Sequence, residues 1–299
     1  MRKIYKIINN FLLTFKEGGI RRVIQLFVRY LDNILGGCGL KIEVAYKLHH
    51  FLSRISYKFY SNTLIDIKVN FDKFIKEEYV VLDLNLPKNF LDDLLKKCEH
   101  ELQNEENTSK IANKKNKPFN GLLNSGVPPE YYSKQVCWLN NPSLSVPELL
   151  TLFNNKLIDD VLKSLFRSNY IIENIAMYKT LNSNKKETFN LNSSFHIDSN
   201  PSTSLKMMIY LCDVDNNNGP LLIKEKSTGK IIPIIGKSGT SIIFKSHSLY
   251  HAAKNTSTGS RYAVFFTIVP SFRPWKNQVT CDGWLNIPYR INPFFWLGK

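Results

Sequence analysis

The chain has 299 residues, 43% of them hydrophobic, and a formal net charge of +15. It is long enough to bury a sizeable core and suits one large domain plus an appendage, and its hydrophobic content is ordinary for a globular protein. Its five cysteines (Cys38, Cys98, Cys137, Cys212, Cys281) are scattered and form no Cys-x-x-Cys pair; this argues against a disulfide framework or zinc site and for a reducing, cytoplasmic setting.

Positive charge is concentrated at the start. Residues 1–60 hold eleven Lys and Arg against three Asp and Glu, a net +8. Apolar residues at Ile4, Ile7, Ile8, Phe11, Leu12 and Phe15 follow helical spacing, as do Ile20, Val23, Ile24, Phe27, Val28, Leu31 and Leu35. Gly18-Gly19 and Gly36-Gly37 break the two runs, and Ile42 to Tyr60 is rich in aromatic, His and basic residues. No run approaches the ~20 apolar residues that span a bilayer. Asn9-Asn10 interrupts the first run and no small-residue cleavage site follows, which argues against a signal peptide. Two readings of residues 1–62 stand. One is a basic amphipathic region that lies on an anionic membrane surface or docks a partner, making the protein peripherally membrane-associated. The other is a set of helices packed on the next domain with a solvated Lys/Arg face. Nucleic-acid binding ranks below both, for lack of zinc-finger spacing, an aromatic RNA-binding motif or a dense Arg run.

Residues 63–275 read as the main domain. Thr63 to Asn70 and Glu78 to Leu84 look like strands. Leu86 to Cys98 looks like a helix whose early acids and late lysines suit its dipole. Asn104 to Asn120 is polar and Lys/Asn-rich, the composition of a loop, and a second helix is expected over Pro147 to Leu165. Short apolar runs then recur: Asn174 to Thr180, Leu205 to Leu211, Leu221 to Lys224, Lys230 to Ile235, Thr240 to Phe244 and Arg261 to Val269. Punctuation by Gly, Pro and Asn at this spacing indicates an all-β barrel or jelly roll with flanking helices. The last strand is nearly all apolar, as expected if it is covered on both sides. Residues 276–299 form an aromatic-rich tail (Trp284, Tyr289, Phe294, Phe295, Trp296) expected to pack on that domain.

Chemistry gathers on four residues. His196 and Asp198 stand at i and i+2, so a strand points both to one face. His251 follows 53 residues after the Asp, and Arg261 ten further on. Two imidazoles and a carboxylate on one face of an iron make the facial triad of non-haem Fe(II) oxygenases. A guanidinium nearby suits the far carboxylate of a dicarboxylate, because its planar fork binds bidentately and stays charged. His247 competes with His251 for the distal position. Tyr178 and Lys179, on the run Asn174 to Thr180, are further candidates for co-substrate contact. Met207, Met208 and Tyr210 read as barrel core.

The stretch from about Ile171 to Phe272 resembles the Fe(II)/2-oxoglutarate-dependent dioxygenases, in their phytanoyl-CoA dioxygenase-like branch. The matching blocks are Phe195-His-Ile-Asp198, the run from Ile209 to Leu221 with its Asn-Gly-Pro turn, and Leu249 to Asn255 followed by Arg261. The resemblance implies a double-stranded β-helix (jelly-roll, cupin-like) core. It also implies Fe(II) held by His196, Asp198 and His251, with 2-oxoglutarate and O2 as co-substrates and Arg261 on the distal carboxylate. The implied reaction hydroxylates a small molecule, lipid or glycan precursor and releases succinate and CO2. Relatives that halogenate lack the carboxylate, and Asp198 is present. Two departures stand out: Lys224-Glu-Lys-Ser-Thr228 occupies the place of a Pro-Gly-Ser-His block, and Ala253 that of a hydroxyl residue. The alternatives are a jelly-roll module that binds metal without turnover and a basic peripheral membrane adaptor.

Overall fold

The computed structural model describes residues 40–60, 71–103, 108–110, 136–139, 142–180, 195–198, 200–254, 256, 258–271, 274 and 279–282. Two antiparallel sheets lie face to face. The large one is ordered β1 (Tyr79–Asp83), β8 (Thr240–Phe244), β5 (Leu205–Tyr210), β10 (Arg261–Ser271), β4 (Asn169–Thr180), β3 (Val136–Leu139), β2 (Thr108–Lys110). A further strand, β11 (Val279–Asp282), pairs with β4 in parallel. The small sheet is β7 (Ile231–Ile234), β6 (Leu221–Lys224), β9 (His251–Ala253). Pro233 is tolerated in β7 because, among the described residues, β7 is an edge strand bonded to β6.

Strand alternation explains why the large sheet is apolar on both faces. Met208 and Tyr210 of β5, Ile242 and Phe244 of β8, and Ala263 and Phe265 of β10 face the small sheet, where they meet Leu221, Ile223 and Ile234. Met207, Ile209, Val264 and Phe266 face the other way. There they pack under helix α3 (Lys88–Gln103), a 3-10 helix (Pro147–Asn154) and helix α5 (Lys156–Phe166); the short helices α2 (Phe71–Glu77) and α4 (Pro142–Ser145) precede α3 and the 3-10 helix. The Tyr210 hydroxyl ties the sheets together: it donates to the Ile234 carbonyl and accepts from the Leu221 amide, both at 2.9 Å. Burial pushes that phenol up to about 12, so it stays a neutral donor.

The strands expected from Glu78 onward and the helix expected from Leu86 are present, with bounds shifted by a few residues. The single helix expected over Pro147 to Leu165 is two. Asn155 takes extended backbone, and its side-chain oxygen accepts from the Leu157 and Ile158 amides, so it caps α5 rather than continuing the helix before it. Within the stretch expected to loop, Thr108–Lys110 pairs with β3. The strand expected over Thr63 to Asn70, the two basic runs before Leu40, and most of the aromatic tail lie outside the described residues.

The first helix of the described chain, α1 (Leu40–Tyr60), packs on this domain with a polar face. Tyr46, His49 and Ser53 are buried; the Tyr46 hydroxyl donates to Glu173, and His50 Nε2 lies 2.9 Å from the Phe166 carbonyl. Glu43 accepts from the amide and hydroxyl of Ser202, in the loop that follows Asp198. Helices packed with a solvated Lys/Arg face were one expectation for this region; in α1 it is the apolar side that faces out. Among the described residues no helix is long and apolar enough to cross a membrane.

Candidate metal centre

The two segments carrying the expected ligands are held together by backbone. His196 and His251 form an antiparallel bridge, each amide donating to the other's carbonyl at 3.0 Å, and the Asp198 amide donates to the Ser246 carbonyl at 2.8 Å. The bridge extends the small sheet beyond β9, so a segment distant in sequence joins the strand bearing His251. One ligand atom from each of His196, Asp198 and His251 then lies within 4.8 Å of the other two. Asp198 Oδ1 is 3.7 Å from both His196 Nε2 and His251 Nε2. That spacing is too long for hydrogen bonds and suits three donors around one cation at about 2.0–2.2 Å each.

The donor chemistry fits a metal. His251 Nδ1 lies 3.0 Å from the Leu249 carbonyl, which acts as acceptor and fixes the proton on that nitrogen. His251 Nε2 is buried, has no hydrogen-bond partner and faces the cluster with its lone pair. Burial, reinforced by the nearby Lys206 ammonium, pushes this imidazole down to about 4, so it is neutral near pH 7. The Asp198 oxygens divide their work. Oδ1 faces the imidazoles, while Oδ2 accepts from Lys206 Nζ at 2.7 Å and Asn200 Nδ2 at 3.4 Å. Burial opposes the Asp198 anion, but the Lys206 ammonium together with His251 and His196 outweighs it and holds the carboxyl well below the usual carboxylate range. His247, the competing imidazole, sits outside this cluster, near Glu78, Lys245 and Glu43.

Deeper between the sheets lies Arg261, the first residue of β10, only 1% exposed. One terminal nitrogen donates to the Gly219 carbonyl and the other to Thr180 Oγ1 at 3.1 Å, whereas Nε is buried without a partner. Among the described residues no carboxylate pairs with this guanidinium. A buried cation without an anion is costly, and an anion bound beside it would offset that cost. Gly219 sits at φ +82°, and a Cβ there would meet the Lys254 carbonyl and Thr256 at 2.7 Å. The Asn-Gly-Pro turn therefore needs its glycine in order to aim that carbonyl at Arg261.

Of the two weaker candidates, Tyr178 shares this interior: it stacks on Phe265 at 4.6 Å, with the Arg261 guanidinium 6.0 Å from its ring. Lys179 does not join them. Alternation along β4 turns it to the opposite face, where its ammonium lies over the Tyr262 ring.

Lys206, Asn200 and Thr180 were not singled out from sequence. A lone lysine inside the apolar run Leu205 to Leu211 was a legible signal for the first. Thr180 carried none, since only the register Arg261↔Thr180 brings its hydroxyl to the guanidinium.

No family model matches the chain, and no curated protein matches it either. Solved structures do match in fold. SnoN, a non-heme alpha ketoglutarate dependent epimerase from nogalamycin biosynthesis, aligns with TM-score 0.52 and 13% identity over 67% of this chain and 80% of that one. EctD from S. alaskensis, solved with 2-oxoglutarate and 5-hydroxyectoine, aligns with TM-score 0.52 and 16% identity over 70% and 79%. SnoK, a carbocyclase from the same biosynthesis as SnoN, aligns with TM-score 0.50 and 14% identity over 67% and 82%. The chain thus has the jelly-roll fold of the non-heme iron, 2-oxoglutarate-dependent enzymes.

Proposed function

We propose that the protein is an Fe(II)/2-oxoglutarate-dependent oxygenase that hydroxylates a small molecule, lipid or glycan precursor, with release of succinate and CO2. The observation that carries this is the convergence of His196, Asp198 and His251 beside a buried Arg261 that has no anion partner among the described residues. His196 and His251 would hold the ferrous ion through Nε2 and Asp198 through Oδ1. When bound, the iron would let O2, the oxidant, take two electrons from 2-oxoglutarate, giving succinate and CO2, and two from a substrate C–H bond, giving C–OH.

The protein's own part is binding and orientation. Leu249 sets the His251 tautomer, and Lys206 with Asn200 restrains Asp198 Oδ2, so that the carboxylate presents one oxygen. Thr180 and Gly219 steady the Arg261 fork that would grip the distal carboxylate. Phe265 and Tyr178 beside Arg261, and Phe244 against the His251 ring, supply the apolar surroundings of these groups. The Asn-Gly-Pro block and the residues around His251 support the phytanoyl-CoA dioxygenase-like branch, and the scattered thiols suit a reducing cytoplasm.

Anaerobic addition of Fe(II) and 2-oxoglutarate is expected to produce a visible charge-transfer band. Folded, iron-loaded protein without that band refutes the reading. Succinate formation coupled to O2 uptake separates turnover from mere metal binding.

A further inference from the structure

Helix α1 has its polarity inverted. At about 100° per residue, Tyr46, His49 and Ser53 fall on one side and are buried, with the Tyr46 hydroxyl donating to Glu173 of β4 and the Ser53 hydroxyl to the His49 carbonyl within the helix. Val44, Leu48, Phe51 and Ile55 fall on the opposite side in a continuous stripe, with Leu52 at its edge. All five are exposed, Val44 by 55% and Phe51 by 60%. An isolated exposed apolar residue means little, but five aligned on one face mark a surface built for contact.

Charge selects what covers it. Lys47 flanks the stripe with its side chain 62% exposed, and Arg54 lies on the same flank. The helix sequence holds four basic residues (Lys41, Lys47, Arg54, Lys58) against Glu43 alone, and residues 1–60 carry a net +8. A second copy laid against this stripe would set like charges side by side, as would the equally basic segment that precedes it. An apolar stripe bordered by Lys and Arg matches a bilayer, where the hydrocarbon takes the stripe and anionic headgroups the cations.

We infer that α1 is a membrane-contacting helix: Val44, Leu48, Phe51, Leu52 and Ile55 enter the headgroup–acyl boundary of an anionic bilayer, with Lys47 and Arg54 at the phosphates. The contact has a consequence for the metal centre. Glu43, in the first turn of α1, is bonded to Ser202, four residues past Asp198. A bilayer under α1 therefore lies next to the loop that carries the ligand pair. This surface reading does not depend on turnover.

The test uses the full chain and sedimented vesicles of phosphatidylcholine, with and without about one quarter phosphatidylserine. Wild type is expected to partition onto the anionic vesicles at least tenfold better than onto neutral ones, and less well as salt rises. The exposed-face variant Leu48→Asp/Phe51→Asp is expected to lose at least tenfold of that partitioning, while its circular dichroism and Co(II) binding stay as in wild type. Phe51→Leu, which keeps an apolar side chain, retains it. Equal partitioning of the double variant and wild type overturns the proposal, as does no preference for anionic vesicles. A wild-type dimer in sedimentation equilibrium that the double variant dissociates would assign the stripe to a second copy and also overturn it.

Discussion

Replacing Arg261 with Met tests the proposed co-substrate contact through two readouts. In the free protein the change removes a buried cation that has no carboxylate partner among the described residues, which relieves desolvation. It also strips a donor from the Gly219 carbonyl and from Thr180 Oγ1, at about 1–3 kcal/mol each. These effects oppose one another, so the midpoint without ligand is expected within about 4 °C of wild type. With ligand the balance is one-sided. Losing two charge-assisted bonds to a carboxylate at ~1.5–3 kcal/mol each raises the Kd for 2-oxoglutarate roughly 10²- to 10⁴-fold. At a concentration about 100 times the wild-type Kd, 2-oxoglutarate stabilises wild type by about 2.7 kcal/mol and the variant by about 0.4 kcal/mol or less. At roughly 2–4 °C per kcal/mol, a melting shift of about 5–10 °C should fall below about 2 °C. The assay is anaerobic thermal melting with Co(II) in place of Fe(II). Pyruvate, which lacks the distal carboxylate, serves as control and should shift both proteins alike. An unchanged shift with 2-oxoglutarate in the variant, or a wild type that responds equally to pyruvate and 2-oxoglutarate, would refute the assignment of Arg261.

Asp198→Ala should abolish stoichiometric Co(II) binding, read by titration. In the metal-free state it should also cost ~3–5 kcal/mol in urea unfolding, because it strands the Lys206 ammonium, whose side chain is 12% exposed. Adding Lys206→Met should recover most of that stability without restoring metal. Gly219→Ala forces a Cβ to within 2.7 Å of the Lys254 carbonyl at φ +82°; a loss of ~1–3 kcal/mol and weaker 2-oxoglutarate binding are expected from the strain and the displaced carbonyl, measured by unfolding and by the same melting shift. The docking of α1 should be pH-sensitive through His49, whose burial, with neighbouring His50, pushes it down to about 4 from 6.5. A folded-state pKa below the unfolded one makes the neutral form stabilising above about 6.5, with that contribution lost as pH falls toward about 4. The protection factors of α1 amides, which correct for the intrinsic pH dependence of exchange, should therefore fall across that window, and His49→Phe should flatten the profile; equal slopes would dissociate His49 from the effect.

Most of the barrel was legible because burial on one or both faces writes itself into strand composition. The run Arg261 to Val269 is apolar throughout since β10 is sandwiched between the small sheet and the helices. The triad was legible for a related reason: His196 and Asp198 are two apart, a spacing that strand geometry turns into a shared face. Asn155 was harder, as a polar residue between two apolar runs reads equally as a helix surface position or a cap, and its φ and ψ decide. Lys179 was misleading in company with Tyr178, because neighbours on a strand face opposite ways and sequence alone does not say which way is in.

The amino-acid order by itself determined which residue types were available to bind a cation and a dicarboxylate, and where strands would place them relative to near neighbours. Tertiary structure alone decided the partnerships across long separations: Thr180 beside Arg261, Lys206 on Asp198, the Gly219 carbonyl turned inward, and α1 seated with its apolar stripe outward. The physical reason is that strand register and helix docking are settled by the summed packing of many distant side chains, whereas periodicity records only what each segment would bury, not against what.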